Sequence, residues 1–299
     1  MASGTVTSEI NYLKRLDLYQ KEKPFQLFIP IDENAADQRS SNLEFEMREQ
    51  TFVDIRDNLK DFSLDTHGFE VGMRPTALAP ADFHSRETVE TRYFDEVKEI
   101  LKGIDGGYDQ VFIFDHRLRD AAVPKEEVLL DMNDLSQWLR PSPNVHIDQS
   151  PRAVVHRIQL HLPEDAGFLL QGRVRVVNVW RPIENPVESY PLAFCDPRSV
   201  GKSDLIECDH VRRKFKGANM YMHHSPGQKW YYLGNQQPDE FLLLKMFDSD
   251  SAVEAKACPH ASFRHPLSTP ESKPRKSIEV RALVFNYPPE EDESSPEDE

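Results

Sequence analysis

The segment Asn144-Val-His146-Ile-Asp148-Gln-Ser150 sets an imidazole and a carboxylate two residues apart. On an extended backbone, residues two apart point to one side. The pair then suits adjacent positions on one metal ion. A third ligand from a distant strand would complete one face and leave three positions open. That is the two-His-one-carboxylate arrangement of non-haem Fe(II) oxygenases. The open positions matter because a co-substrate must chelate the iron and O2 must bind beside it. With 11 histidines and an acid frequency of 51 in 299, chance alone supplies about two His-x-acid matches. The chain has this one. The spacing is therefore weak by itself, and a surface histidine in a loop rich in Pro and Asn is the alternative.

The third ligand is expected at His260, in Ala257-Cys-Pro-His-Ala-Ser-Phe263, where small residues follow and allow close packing. His223 and His224 compete, but Tyr-Met-His-His-Ser-Pro-Gly reads as an exposed turn with solvated histidines. His265 lies just before Pro266 and is a weaker candidate. Fifteen residues beyond His260, the run Pro274-Arg275-Lys-Ser277-Ile-Glu279-Val-Arg281 puts Arg275, Ser277, Glu279 and Arg281 on one side of a strand. Ile278, Val280, Ala282 and Val284 fall on the other side. A guanidinium and a hydroxyl at this spacing suit a carboxylate, through two parallel N–H bonds and one O–H bond. A 2-oxoacid with a distal carboxylate, such as 2-oxoglutarate, would chelate iron at one end and dock on Arg275 and Ser277 at the other. Arg281 is the runner-up anchor and is equally placed to pair with Glu279. A plain Arg–Glu ion pair on a strand surface would contribute little.

Elements must hold these residues in place. Gln50–Arg56 alternates and is expected as a strand. Ser85–Lys102 is the clearest helix: Ser85 caps it, Val89, Tyr93, Val97, Ile100 and Leu101 share a face, and Gly103 ends it. Gln110–Asp115 reads as a buried strand. Arg173–Arg181 is β-branched and closed by Pro182. Lys229–Leu233 and Phe241–Phe247 read as two strands around a turn at Gly234-Asn235. Ser277–Phe285 is a further strand. Many short strands with Pro and Gly punctuation imply a sandwich or barrel with added helices.

Composition narrows the classes. Of 299 residues, 38% are hydrophobic and 10% aromatic, enough for a sizeable core and too many for a disordered chain. The net charge of −15 works against binding a phosphate backbone, so nucleic acid is not an expected partner. No apolar run reaches the length of a membrane span, and the N-terminus lacks an apolar signal core. Three widely spaced cysteines, Cys195, Cys208 and Cys258, imply a reducing compartment, and the cytoplasm is the expected location. Pro288–Glu299 contains only Pro, Ser and acid and is expected to be a solvated tail. The remaining residues, 1–287, read as a single domain, with decorating elements over about 1–140 and the core over about 141–287.

The ordered strings Phe52–Val71, VHIDQS, NVWRPI (Asn178–Ile183), PLAFCDPRSV (Pro191–Val200), KWYYL, FLLLKMFDSD (Phe241–Asp250), CPHASF and RKSIEVRALVF span about residues 10 to 287. As a set they resemble the AsaB-like hydroxylase/desaturase family, the group of gibberellin desaturase and CmcJ-related proteins. The resemblance implies a mainly β fold, a double-stranded β-helix or jelly roll, with Fe(II), 2-oxoglutarate and O2. It implies His146, Asp148 and His260 as iron ligands and Arg275 with Ser277 as the 2-oxoglutarate anchor. Retention of a carboxylate at Asp148 speaks against halogenation, since related halogenating enzymes carry a small residue there. The expected reaction is oxidation of a C–H bond of a small secondary metabolite or amino-acid-derived substrate, by hydroxylation, desaturation or oxidative cyclisation. Two other readings stand beside it. One is a cupin-like metal oxygenase or isomerase that needs no 2-oxoglutarate; the other is a jelly-roll binding protein without turnover.

Within the same strings, Asn178 and Trp180 share a strand face, and Asn178 is a candidate to hydrogen-bond the co-substrate. Trp180, Tyr231 and Tyr232 are candidates for the substrate pocket. The two tyrosines point to opposite sides, so one at most faces it. Arg157, Arg181, Arg198 and Lys245 are possible contacts for an acidic substrate, each with a surface or supporting role as the alternative. Cys195-Asp196 has no reading in the sequence.

Overall fold

The computed structural model describes residues 4–124, 137–213 and 216–290. Fourteen strands are defined among them. The first five are β1 (Thr5–Leu13), β2 (Phe25–Leu27), β3 (Phe45–Asp54), β4 (Phe69–Met73) and β5 (Gln110–Asp120). Next come β6 (His146–Ile147), β7 (Arg173–Pro182), β8 (Leu192–Cys195), β9 (Leu205–Val211) and β10 (Lys216–Met222). The last are β11 (Trp230–Tyr232), β12 (Glu240–Asp248), β13 (His260–Ser262) and β14 (Lys276–Asn286). They form a nine-stranded sheet in the order β1-β3-β11-β8-β13-β6-β10-β9-β2 and a five-stranded sheet in the order β4-β12-β7-β14-β5.

From β6 to β8, and again from β11 to β14, the chain passes from one sheet to the other with every strand. That winding is a double-stranded β-helix, the jelly roll. Its interior is the apolar layer between the sheets, where Phe69, Trp180, Phe194, Leu242, Leu244, Leu283 and Phe285 meet. Each such side chain contributes roughly 1.5–3 kcal/mol when fully buried. β14 shows how the pattern is built. Ile278, Val280, Ala282 and Val284 pack outward against the helical layer of Phe83, Tyr93, Val97 and Leu101. The alternate residues turn inward, ending in Leu283 and Phe285. A strand buried on both faces tolerates charge only where another charge meets it, and Glu279 and Arg281 are such a place.

The helix over residues 86–101 is present, with Ser85 accepting from the Thr88 N–H, and it contains a π turn at Val89–Tyr93. Two expectations change. β11 and β12 are not a hairpin; they lie in different sheets, and the chain crosses between sheets at Gly234-Asn235. Remote contacts fix that turn. Asp54 accepts from the Gly234 N–H, Arg56 donates to its carbonyl, and a Cβ at Gly234 would run into the Asp54 carboxylate. The first 140 residues are also more than decoration, since β4 and β5 are the two edges of the five-stranded sheet. The acidic tail from residue 291 lies outside the described residues.

Candidate metal centre

His146 and His260 face each other directly, because β6 and β13 pair antiparallel with these two residues in register. Their rings lie 4.5 Å apart, centre to centre. Asp148 follows two residues on, with an oxygen 3.5 Å from the His146 Nε2. The strand stops there for a local reason. Ser150 accepts from the Ala153 N–H and Pro151 occupies the first turn of a helix over Pro151–His161. One ligand atom from each of His146, Asp148 and His260 lies within 4.8 Å of the others.

The histidines are held in the tautomer a metal needs. The His146 Nδ1 is 2.7 Å from the Asn144 carbonyl and the His260 Nδ1 is 3.2 Å from the Cys258 carbonyl. A carbonyl can only accept, so each Nδ1 carries a proton and Nε2 is the ring atom turned towards a metal. Burial, then the neighbouring His146, pushes His260 down to about 3, so its ring is neutral at physiological pH. Asp148 is anionic. Burial raises it, but Arg281 and then His146 more than offset this and hold it well below the usual carboxylate range. Two imidazoles and a carboxylate are a donor set for a divalent transition metal.

Behind Asp148 stands a buried polar cluster. One carboxylate oxygen accepts from the Asn178 amide at 2.6 Å and the other from Arg281 at 3.1 Å. Asn178 also donates to Glu279 at 2.6 Å. Arg281 reaches Glu279 at 3.0 Å and Asp115 at 3.1 Å. Such contacts fix the orientation of a ligating carboxylate. Asn178 was a candidate for the co-substrate, and its amide donors go to Asp148 and Glu279. Arg281, the runner-up anchor with Glu279 as its alternative partner, pairs with Glu279 and also reaches Asp148 and Asp115.

Arg275 is completely enclosed, and it lines a narrow cavity together with His146, His260, Trp180 and Ser262. Its Nη1 donates to the Tyr190 carbonyl and the Ser262 hydroxyl, both at 2.7 Å. The guanidinium carbon sits 5.4 Å from the Trp180 ring centre. Its Nε and Nη2, and the hydroxyl of Ser277, are buried without a hydrogen-bond partner among the described residues. Burial pushes Arg275 down to about 9. Buried donors of this kind are costly unless something accepts from them, and a carboxylate is the acceptor that matches.

The other candidates sort differently. Tyr231 packs between the sheets on Phe62 and Phe69, while Tyr232 packs on Phe263 outside the nine-stranded sheet. Opposite faces are as expected, and neither tyrosine lines the cavity of His146 and His260. His223 is not solvated: it is buried with its Nδ1 on the Leu13 carbonyl at 2.8 Å. Lys245 is buried between Asp65 and Asp248, each at 2.6 Å. Arg198 pairs with Asp196 and Glu254, and Arg181 donates to the Arg74 carbonyl. Asp196 caps the turn Pro197–Ser199, which accounts for its place in the sequence. Arg157 lines a second cavity beside His146 and Asp148.

Buried neutral histidines make stability depend on pH. His210 is pushed down to about 4, first by burial and then by the charge of Arg212. Its folded pKa lies below the unfolded value of about 6.5. The unfolded chain therefore binds the extra proton between these values, and stability falls as pH drops through that window. His210→Gln is expected to flatten the slope of metal-free unfolding free energy between pH 6 and pH 4.5 by about 1.4 kcal/mol per pH unit. Urea titrations at several pH values measure it.

A double-stranded β-helix that gathers two imidazoles and a carboxylate on facing strands defines a class, the non-haem metal oxidoreductases. The chain belongs to the AsaB-like hydroxylase/desaturase family. A family model described as "Oxidoreductase/YMDC permease-like domain" matches residues 10–285. No helix among the described residues is long and apolar enough to cross a membrane. The hydroxylase/desaturase efuI of Hormonema carpetanum is 32% identical over 261 residues, 82% of this chain and 86% of the relative. The Fe(II)/2-oxoglutarate-dependent dioxygenase nvfI of Aspergillus novofumigatus is 32% identical over 253 residues, 83% of this chain and 87% of the relative. A solved structure of the iron and alpha-ketoglutarate-dependent endoperoxidase NvfI superposes with a TM-score of 0.80 at 29% identity. The match covers 95% of this chain and 98% of that one.

Proposed function

We infer that this chain is an Fe(II)- and 2-oxoglutarate-dependent dioxygenase of secondary metabolism that oxidises a C–H bond of a small molecule. Relatives named as dioxygenases and hydroxylase/desaturases support the class. The observation that carries the reading onto this chain is one cavity lined by His146, His260 and the partly unsatisfied guanidinium of Arg275. His146, Asp148 and His260 would hold the iron through two Nε2 atoms and a carboxylate oxygen. Arg275 and Ser277 would take the distal carboxylate of 2-oxoglutarate, and Trp180 would wall the cavity beside it.

When bound, iron with 2-oxoglutarate and O2 supplies an oxidant strong enough for an unactivated C–H bond. The chain's own part is placement and exclusion of water. Asn178 and Arg281 fix the plane of the Asp148 carboxylate, and the backbone carbonyls of Asn144 and Cys258 fix the two imidazoles. A carboxylate at Asp148 would serve as a metal ligand where halogenating enzymes carry a small residue, which favours oxidation over halogenation. The net charge of −15 works against a nucleic-acid partner, and the three cysteines are buried free thiols that suit the cytoplasm.

The test is anaerobic. Fe(II) and 2-oxoglutarate added together should give the weak visible charge-transfer band of the chelate. Arg275→Ala should raise the 2-oxoglutarate needed for half-formation of that band by about tenfold to a hundredfold, the worth of a charge-assisted contact of about 1.5–3 kcal/mol. Metal binding without the band would favour a cupin-like enzyme, and no metal binding would favour a plain binding protein.

A further inference from the structure

A second cavity of about 200 Å³ shares His146 and Arg119 with the first but reaches Asp148 instead of His260. The charges in its lining are engaged. Arg281 holds Asp115, Asp148 and Glu279, and Arg119 donates to the Arg140 carbonyl. Arg157 and Arg212 are not free either. The uncharged side chains differ. The Oδ1 of Asn219 and the Nε2 of His210, both residues of the lining, are buried with no hydrogen-bond partner among the described residues. Asn219 as a whole is only 6% exposed. A buried polar atom left bare is costly, so a pair of them in one cavity points to a bonding partner from outside the chain.

The two side chains stand on one face of the β9–β10 pair. Asn219 lies opposite Cys208 and His210 opposite Gly217, which makes Asn219 and His210 diagonal neighbours. Diagonal positions are about 7–8 Å apart, close enough for one small polar group to bond both side chains. Gly217 has no side chain to fill the space opposite the His210 ring. Tyr221, two residues beyond Asn219, takes a side-chain hydrogen bond from it. That contact uses the amide nitrogen and leaves Oδ1 as an acceptor. The His210 ring meets Phe28 edge-on, with ring centres 5.5 Å apart. Burial keeps the ring neutral, so one nitrogen donates and the other accepts.

We propose that this cavity recognises an alcohol hydroxyl of the substrate, which donates to the Asn219 Oδ1 and accepts from the His210 Nε2–H. The proposal deepens the dioxygenase reading and rests on it for the meaning of the bound alcohol as substrate. A hydroxyl serves an acceptor and a donor with one oxygen. A ketone or ether leaves the Asn219 oxygen bare. An ammonium leaves the His210 donor bare and faces the guanidinium groups of the lining. A carboxylate sets its oxygens against the Asn219 oxygen and beside Asp115 and Asp148. The cavity is smaller than the roughly 300–1,000 Å³ usual for a whole drug-sized ligand, so it holds the hydroxyl-bearing end alone. Because His146 and Asp148 share the lining, the carbons next to that hydroxyl lie beside the metal ligands. Asn219 and His210 thereby select which part of the substrate is presented.

The test uses the full chain loaded with Fe(II) and saturating 2-oxoglutarate without oxygen. The probes are cyclohexanol, cyclohexanone, cyclohexylammonium and cyclohexanecarboxylate, which share a ring and differ in the polar group. Ligand-observed NMR gives each affinity. Cyclohexanol should bind at least about fivefold tighter than cyclohexanone, the scale of one neutral hydrogen bond, and tighter than either ion. Asn219→Leu should bring the alcohol-to-ketone ratio to about one, because the acceptor that tells them apart is gone. His210→Phe should weaken alcohol and ketone alike and leave their ratio standing, because both accept from Nε2. Equal binding of alcohol and ketone to the unaltered chain overturns the proposal and would mean that water fills the gap. So does a ratio that survives Asn219→Leu, an unchanged affinity in His210→Phe, or tighter binding of either ion. The chelate band, read on the same samples, separates the two readings. An absent band with a clear alcohol preference defeats the dioxygenase reading alone. A normal band with no preference defeats the hydroxyl site alone.

Discussion

His260→Ala is expected to lower Fe(II) affinity by more than about a hundredfold and to abolish succinate formation. Changes to residues that merely support a metal ligand cost about 10- to 100-fold in affinity or activity, so removing a ligand must exceed that. The reason lies in how the site is assembled. His146 lies on a short strand and Asp148 just past its end, and two adjacent ligands hold a divalent ion weakly. His260 arrives from the neighbouring strand in direct register with His146 and converts the pair into a face. Its buried ring is already neutral and needs no deprotonation before it binds metal. His224→Ala is the control. It removes a histidine that packs at the edge of the Tyr12 ring and contributes nothing to the cluster. Metal titration of both variants, followed by succinate assay, decides the matter. Full turnover in His260→Ala with loss in His224→Ala would end the ligand assignment.

Much of this architecture was legible because local chemistry and global fold agree. Arg173–Arg181 and Ser277–Phe285 are β-branched runs, and they became the two central strands β7 and β14 beside β12. Ser85 and Gly103 bracket a helix because a cap and a stop act within four residues. His-x-Asp reads as a pair because a strand repeats every two residues. What the sequence hid depends on partners far along the chain. Gly234-Asn235 has the composition of a hairpin turn, but Asp54 and Arg56, nearly 180 residues away, bind it and send the chain to the other sheet. His223 looked solvated because its partner, the Leu13 carbonyl, lies 210 residues upstream. Arg157 was one of four cations with an equal claim to an acidic substrate. Only the fold shows that Arg157 lines a cavity beside His146 and Asp148, while Lys245 is buried between Asp65 and Asp248. Asn178 and Arg281 were legible as residues facing the interior. Their partner was not, because Asp148 follows a strand of the other sheet and nothing local marks it.

Arg281→Met is expected to destabilise the metal-free protein by about 3–5 kcal/mol at pH 7.5, the usual cost of stranding buried charge. Among the described residues, Arg281 is the one group that touches Asp115, Asp148 and Glu279 together, and it is itself buried. Methionine matches its length and apolar stem but takes the guanidinium from Asp148 and Glu279, while Asp115 keeps Arg117 at 3.6 Å. Asn178 still donates to Asp148 and Glu279, but an amide carries no net charge. The pH dependence distinguishes this from lost packing. Burial already raises Glu279 above its ordinary value with Arg281 present, because Arg281 only partly offsets it. Without Arg281, Glu279 rises further above its unfolded value. The folded variant then binds more protons than the unfolded chain, so its stability falls as pH rises through that window. The deficit against wild type should shrink at pH 5 and widen at pH 7.5. Divalent metal should recover part of it, since a cation at His146, Asp148 and His260 replaces some of the missing positive charge. Denaturant unfolding at the two pH values, with and without Mn(II), measures all three effects. A deficit that is constant in pH and indifferent to metal would show that Arg281 acts only by filling space.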